Sequence, residues 1–344
     1  MPLEQLRLQT FGLQRFNTPK ASVPERRFNG AQSNIASLTC AALAHPMFHP
    51  ASISFVRPST LLEPGMEISQ FGSAMIRGLR QRNYPLPERI GPTELAGLYD
   101  EVLNNRSRYE PVLQSMRSVG FEDPFQITPQ IQAHVDTLFD IHKPCTELHK
   151  AILLFRSVIP EDKSFIVNSQ SYYGLNDGLG IKYNDDALHI SRKEKGCLLP
   201  TDIIETPPDE RIALCLEYSH LLVCLLRAAG LTAHPKGEPF HTYVIADLDG
   251  YKYQLDAAHL KFRKTLNGAN SDRQSIPRYY NNKGASLDKH GKFDEAIKCY
   301  DKATAIDPNL AFVWNNKGEA LFIQGRWDEA KTCFNEEQRL CRLK

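Results

Sequence analysis

The sequence predicts an α+β protein in which a central helix packs on an antiparallel sheet. N-terminal helices precede this core and helical repeats follow it. Three observations carry the prediction: an apolar helical segment over residues 211–230, a two-strand pattern around Asp249-Gly250, and a C-terminal pattern that repeats after 34 residues. At 344 residues the chain is long enough for one large domain or two smaller ones.

Composition excludes several classes of function. The 41 basic and 40 acidic residues nearly cancel, so net charge gives no reason to expect a nucleic-acid partner. No apolar run is long enough for a membrane span, and the charged start lacks a secretory signal, so we expect a cytoplasmic protein. The long polar N-terminal arm is also compatible with delivery into another cell. The eight cysteines show no zinc-ligand spacing, so we expect no metal and no cofactor.

Changes in pattern along the chain predict five segments. They are a loosely ordered arm with one short strand at residues 53–56 (1–90), a helical subdomain (91–160), the core (161–262), a linker (263–276) and the repeats (277–344). The helical subdomain shows apolar residues at helical spacing from Leu95 and from Tyr109, then Thr128-Pro129 as a helix start.

A β-hairpin with a fixed register is predicted from the Asp249-Gly250 turn. Two-residue turns pair Leu248 with Tyr251 and Val244 with Leu255, on a face that is expected to be buried. On the opposite face, His241 and Asp256 become diagonal neighbours, about 7 Å apart at the backbone. An imidazole and a carboxylate at that separation can form a hydrogen bond.

Cys215, near the start of the apolar helix, completes a pattern suited to nucleophilic catalysis. A thiol needs a base to take its proton, and the base needs a carboxylate that fixes its tautomer. A helix N-terminus at the thiol would lower the pKa further. Pro207 to Glu210 offer an alternative, earlier helix start, which would weaken this effect.

Three blocks of sequence resemble the transglutaminase-like branch of the papain-like cysteine enzymes, over about residues 160–262. They are Cys215 to Gly230, ending in Leu-Arg-Ala-Ala-Gly; His241-Thr242-Tyr243-Val244; and Gln254-Leu255-Asp256-Ala257. The resemblance implies Cys215 as nucleophile, His241 as base and Asp256 as the orienting group. It also implies a papain-like core, although Ala213-Leu214 stands where the family usually has a glycine.

Several other residues are candidates for the site. For the oxyanion, the backbone N–H of Cys215 and a side chain from the 168–184 loop are expected donors. Tyr243 and His220 are possible substrate contacts or structural residues, as are His234 and His259. Cys197 is an alternative nucleophile, and Cys224 is expected to serve packing alone. The candidate oxyanion side chains are Gln170, Tyr173 and Asn176.

The C-terminal repeats resemble the tetratricopeptide repeat. Asn281-Asn282-Lys283-Gly284 recurs as Asn315-Asn316-Lys317-Gly318, and the segment 291–296 recurs as 325–330. Because two such repeats cannot bury their apolar faces alone, we expect the first to pack on the core or its linker. The far end is expected to remain open for a protein partner or a second copy of the chain, the alternative being a purely structural buttress.

The sequence therefore predicts cysteine-dependent acyl transfer or hydrolysis on protein or peptide amides, with the repeats binding a protein partner. Transamidation, deamidation and proteolysis share the same first step, and the sequence does not separate them. The alternative is a catalytically silent scaffold of the same fold that binds peptides.

Overall fold

The computed structural model describes residues 62–63, 66, 68–183, 196–238 and 241–342. The N-terminal helices are α1 (Gln70–Gln81), α2 (Pro92–Asn104), α3 (Arg106–Arg117), α4 (Pro129–His142) and α5 (Glu147–Val158). The core follows with β1 (Ser164–Val167), β2 (Gln170–Tyr173), β3 (Lys182–Tyr183), α6 (Pro200–Glu205), β4 (Ile212–Ala213), α7 (Cys215–Ala228), β5 (Thr232–Glu238), β6 (His241–Leu248), β7 (Tyr251–Asp256) and β8 (Lys261–Lys264). The repeats are α8 (Asp272–Lys289), α9 (Phe293–Ile306), α10 (Ala311–Ile323) and α11 (Trp327–Arg342). Among these helices, none is long and apolar enough to cross a lipid bilayer.

Helix α1 corrects the expectation of a loosely ordered arm up to residue 90. Phe71, Met75 and Leu79 follow one another at helical spacing and are buried, and the Ser69 hydroxyl caps the helix by accepting from the backbone N–H of Gly72 at 3.1 Å. Gly78 is needed because a Cβ there would lie 3.3 Å from the backbone of α3. Gly78 therefore serves close helix packing. The short strand expected at residues 53–56 lies outside the described residues.

Helix α7 forms the centre of the core. All side chains from Leu216 to Leu226 are buried, and each leucine among them contributes on the order of 1.5–3 kcal/mol to stability. Helices α4, α5 and α6 and strands β5 and β6 contact α7. The earlier helix start at residues 207–210 is wrong, since Pro208–Glu210 form only a 3₁₀ turn and Ile212–Ala213 form strand β4. Cys215 is the first residue of α7.

Strands β5 to β8 form one antiparallel sheet in sequential order. The predicted hairpin register is confirmed, because Leu248 pairs with Tyr251 and Val244 with Leu255. The opposite face is more enclosed than a simple alternation suggests: Tyr243 and Gln254 are 2% and 5% exposed. The linker covers part of this face, since the Asn267 side-chain amide donates to the Tyr243 hydroxyl at 3.2 Å.

The repeats pack on the rest of the protein through α8, which confirms that prediction. Asp272, the first residue of α8, is fully buried and accepts from Arg227 of α7 at 2.7 and 2.8 Å and from Arg106 of α3 at 2.9 Å. Arg106 also donates to Asp123. Burial alone would raise the pKa of Asp272, but the two guanidinium groups lower it to about 2. One carboxylate thus joins three parts of the fold.

Small residues allow the two helices of each repeat to approach closely. A Cβ on Gly284 would lie 2.6 Å from the Tyr300 ring, and one on Gly318 would lie 2.6 Å from the Phe334 ring. The equal distances show that the two repeats share one helix-pair geometry. Within the second repeat, Phe322 and Trp327 are 51% and 58% exposed, with ring centroids 4.5 Å apart.

Candidate active site

Cys215 lies at the N-terminal end of the buried helix α7, directly after strand β4. Strand β4 pairs in parallel with β3, which fixes the chain that leads into the helix. The thiol is partly exposed. Its position at the first helical residue places it at the end of α7 that carries the partial positive charge of a helix.

The carboxylate of Glu217 fixes the start of α7. It is fully buried, and its two oxygens accept from the backbone N–H groups of Leu214 at 2.9 Å and Leu198 at 2.7 Å. The first contact satisfies the amide that precedes the helix, and the second ties the helix start to the segment after Gly196. This bracing holds the backbone of Cys215 in place.

The first turn of α7 lies beside the start of β6, the strand that begins with His241. The Ser219 hydroxyl is 2.7 Å from the carbonyl oxygen of Cys215 and 2.9 Å from that of Thr242. Because Ser219 follows Cys215 by four residues, both side chains project from one face of the helix. That face is therefore directed towards β6 and His241.

His241 and Asp256 form the hydrogen bond that the hairpin register predicts. His241 Nε2 lies 2.8 Å from Asp256 Oδ2, with Asp256 2% exposed and the imidazole 20% exposed. A proton on Nε2, donated to the carboxylate, leaves the lone pair of Nδ1 for the proton of a thiol. The pair is thus arranged to give the imidazole one defined tautomer.

Tyr243 supports His241 from within the sheet. Its hydroxyl donates to Glu238 at 2.6 Å, and the rings of Tyr243 and His241 have centroids 6.0 Å apart. Burial, together with the Glu238 carboxylate, raises the pKa of Tyr243. Since the side chain is buried, it positions the strand and does not offer a surface to a substrate.

Two further residues lie near the pair: His259, which the sequence names as a possible substrate contact, and Tyr183, which it does not name. His259 Nδ1 lies 3.2 Å from both His241 Nε2 and Asp256 Oδ2. The ring of Tyr183, from β3, has its centroid 6.4 Å from that of His259 and 6.4 Å from that of Tyr218. His259 follows Asp256 by three residues, but this spacing predicts a contact only when the conformation of the turn between them is known. Tyr183 carried no signal in sequence.

The proposed oxyanion side chains are not brought to this site. The Gln170 side chain accepts from Tyr172 at 2.9 Å, and the Tyr173 carbonyl accepts from Arg156 at 2.7 Å. Asn176 is exposed. In the described part of the chain, no contact recorded for these three residues reaches the thiol, the imidazole or the carboxylate. Gln170 and Tyr173 belong to strand β2 of a short hairpin, β1–β2, that replaces part of the predicted loop, and Asn176 follows this hairpin.

His220 is a structural residue and does not line the site. It is fully buried, its Nε2 is 3.3 Å from the Ser275 hydroxyl, and its ring lies edge-on to Phe125 at 4.8 Å. Burial lowers its pKa to about 3. His234 is also engaged elsewhere, because Arg227 donates to its Nδ1 at 3.1 Å. His220 therefore takes the structural role that the sequence offered as its alternative, and a substrate contact of His234 stays a prediction.

The other cysteines differ from Cys215 in their surroundings. Cys197 is 5% exposed and borders a cavity of about 140 Å³ between the start of α7 and helix α8, lined also by Leu216 and Lys289. This cavity is on the side of α7 that faces the repeats, away from His241. Cys224 is buried within α7, donates to the Pro124 carbonyl, and has its pKa raised to about 12 by burial.

Comparison with known proteins supports one part of the chain. No curated protein and no solved structure matches it. Two tetratricopeptide repeat family models match, over residues 277–310 and 299–332. The second match begins one helix earlier than the predicted second repeat, as an array of alternating helices permits. The C-terminal segment thus consists of tetratricopeptide repeats, a type of module that indicates contacts with other proteins.

Proposed function

We propose that the protein is a cysteine-dependent enzyme that transfers or hydrolyses the acyl group of protein or peptide amides. The observation that carries the proposal is the 2.8 Å contact between His241 Nε2 and Asp256 Oδ2, beside a helix whose first residue is Cys215. This is the arrangement that the transglutaminase-like resemblance implies. A reducing cytoplasmic environment would keep the thiol available.

The chemistry follows from the three groups. His241 accepts the Cys215 proton on Nδ1, and the sulfur attacks the amide carbonyl carbon. As the tetrahedral intermediate collapses, the carbon–nitrogen bond breaks and the imidazolium returns its proton to the leaving nitrogen. The resulting thioester is released to water, which gives hydrolysis, or to an amine, which gives transamidation. Asp256 stabilises the imidazolium during these steps.

The helix start also offers donors for the oxyanion. In acyl transfer, a backbone N–H beside the nucleophile can donate to the oxygen that becomes negative in the tetrahedral intermediate. Glu217 accepts from the backbone N–H of Leu214, which precedes the helix. The N–H of Cys215 itself is the donor that we propose.

Thiol labelling tests the proposal without knowledge of the substrate. At pH 6 and low iodoacetamide concentration, ordinary exposed thiols are largely protonated and react slowly. We expect Cys215 to be alkylated at least about tenfold faster than the exposed Cys341, as measured by peptide mass spectrometry over time. His241→Ala should reduce the Cys215 rate and leave the Cys341 rate unchanged, while Cys341→Ala serves as the matched control.

Two results would count against this function. Equal alkylation rates for Cys215 and Cys341 would favour the catalytically silent scaffold. Selective alkylation of Cys197 would move the nucleophile to the other side of α7. If Cys215 is selectively reactive, trapping its acyl-enzyme from a lysate and identifying the attached peptide would define the substrate class.

The repeats supply a second contact surface for a protein. They match a protein-interaction family, and they are joined rigidly to the core through Asp272. We propose that they bind the protein substrate or a partner that delivers it. Deleting the exposed aromatic pair with Phe322→Ser and Trp327→Ser should weaken capture of that protein without changing Cys215 alkylation.

A further inference from the structure

Three potential metal ligands meet at one point of the hairpin edge. The distance from His241 Nε2 to Asp256 Oδ2 is 2.8 Å, and His259 Nδ1 is 3.2 Å from each of these atoms. All three ligand atoms belong to groups that bind transition metals. No sequence motif predicts this cluster, because two strands and a turn bring its residues together.

The triangle has nearly the size that a tetrahedral zinc site requires. With metal–ligand bonds of about 2.0–2.1 Å, neighbouring ligand atoms of a tetrahedron lie about 3.3 Å apart. The observed separations would need to expand by only a few tenths of an ångström. Two imidazoles and one carboxylate also match the preference of Zn²⁺ for nitrogen and oxygen ligands, with a fourth position left for water.

The protein backbone holds the third ligand in place. The backbone N–H of His259 donates to Asp256 Oδ1 at 3.2 Å, so the turn after β7 folds back on the carboxylate. Leu260 completes that turn with a positive φ of 54°. The carboxylate is thereby left with Oδ2 facing both rings. A hydrogen bond that orients a ligand from outside the coordination sphere is a feature of preformed metal sites.

One side of the cluster is open to solvent. Asp256 is 2% exposed, the His241 side chain 20% and the His259 side chain 47%. The carboxylate therefore forms the floor of the cluster, and an ion can enter past His259. A site with a rigid base and one accessible ligand meets the requirement for an entry path.

We propose that His241, Asp256 and His259 bind a divalent transition metal ion of the Zn²⁺ class. Binding takes the Nε2 lone pair of His241, so the ring can hold only one proton, on Nδ1. Such a ring cannot alternate between base and acid as the acyl-transfer cycle requires. The effect on catalysis rests on the proposed function, whereas the metal site itself does not.

Direct metal binding tests the proposal. The full chain carrying Cys215→Ala keeps all three ligands and lacks the thiol, so titration with ZnCl₂ against a chromophoric chelator should give one bound ion per chain. His259→Ala in this background should weaken Zn²⁺ binding by at least about tenfold. His142→Ala is the matched control, because His142 lies 3.2 Å from Asp177 in an exposed pair without a third ligand.

The outcomes are distinct from those of the labelling experiment. The metal site is overturned if His259→Ala, or His259→Gln with an unchanged circular dichroism spectrum, binds Zn²⁺ as tightly as its parent. It is equally overturned if His142→Ala weakens binding as much as His259→Ala. Failure of the proposed function would instead appear as slow Cys215 alkylation in metal-free protein, with Zn²⁺ binding unaffected.

Discussion

Replacing Asp272 by asparagine should destabilise the whole protein and reveal how the repeats are attached. The carboxylate is fully buried between the guanidinium groups of Arg227 and Arg106. Asparagine keeps the volume but leaves both cations without their counter-charge, a change that costs about 3–5 kcal/mol in buried ion pairs. The lowering of the Asp272 pKa from 3.8 to about 2 independently corresponds to about 2 kcal/mol.

The pKa shift also predicts a pH dependence. Above pH 4 the carboxylate is ionised in both folded and unfolded chains, so its full contribution to stability is present. As pH falls from 3.8 towards 2, the unfolded chain takes up the proton first, and the contribution is lost. The stability difference between the wild type and Asp272→Asn should therefore narrow by about 1 kcal/mol between pH 7 and pH 3.

Urea denaturation followed by two probes provides the assay. The chain has 2 tryptophans, Trp314 and Trp327, both in the repeats, so their fluorescence reports the repeats while circular dichroism reports the whole chain. The wild type should show coincident transitions, and Asp272→Asn should unfold its repeats at lower urea. Asp247→Asn, which disrupts an exposed 2.6 Å pair with Lys252, is the control and should cost less than about 1 kcal/mol.

A loss below about 1 kcal/mol for Asp272→Asn would falsify this reasoning. It would mean that water or a rearranged partner replaces the carboxylate, and that the ion cluster is not what joins the repeats to the core. A stability difference that does not narrow at low pH would contradict the assignment of the pKa shift to Asp272.

Three further perturbations test separate parts of the fold. Gly284→Ala should lower the free energy of unfolding by about 1–3 kcal/mol because its Cβ would meet the Tyr300 ring at 2.6 Å. Gly97→Ala, on an open helix surface, should raise the free energy of unfolding by up to about 1 kcal/mol. If urea titrations show that both alanine variants change this free energy in the same direction, the packing argument is contradicted. Burial lowers the pKa of His220 from 6.5 to about 3, so the unfolded ring protonates first as pH falls. The free energy of unfolding should drop by about 2 kcal/mol between pH 6.5 and pH 5. His220→Leu should remove this dependence on pH. The same slope in wild type and variant would show that the wild-type ring becomes charged in the folded protein. Glu217→Ala removes the acceptor of two backbone N–H groups and should lower the free energy of unfolding by about 2–4 kcal/mol in the same assay. Glu217→Gln should lower it by about half as much. Equal losses would show that the carboxylate oxygens do not determine the contribution of Glu217 to stability.

The hairpin could be predicted because local chemistry determines it. Asp249-Gly250 permits the positive φ angles of a two-residue turn, and the turn then fixes every pair along the strands. The contact between His241 and Asp256 follows from that register. Because the strands are short and regular, no tertiary information was needed to place these two side chains on one face.

The remaining features depend on contacts between distant parts of the chain. Helix α1 was hidden because Gly72 and Gly78 lower helix propensity and suggest a loop, although Gly78 is needed where α1 packs closely on α3. The sequence could not choose among the oxyanion candidates because a loop sequence does not say which way its side chains point. His259 reaches Asp256 only through the turn at Leu260, and a positive φ at a leucine is not readable from sequence.

Helix α8 begins five residues before the tetratricopeptide match at residue 277. Asp272 and Ser275, which contact α3 and α7, both lie in this extension. Attachment is therefore encoded partly before the repeat motif and partly within it, since Tyr279 and Lys283 of the matched segment donate to Glu122 at 2.7 and 2.6 Å. A foreign repeat grafted at residue 277 would keep the Asp272 ion cluster but lose the contacts of Tyr279 and Lys283 with Glu122, whereas one that replaces the chain from residue 272 would lose both.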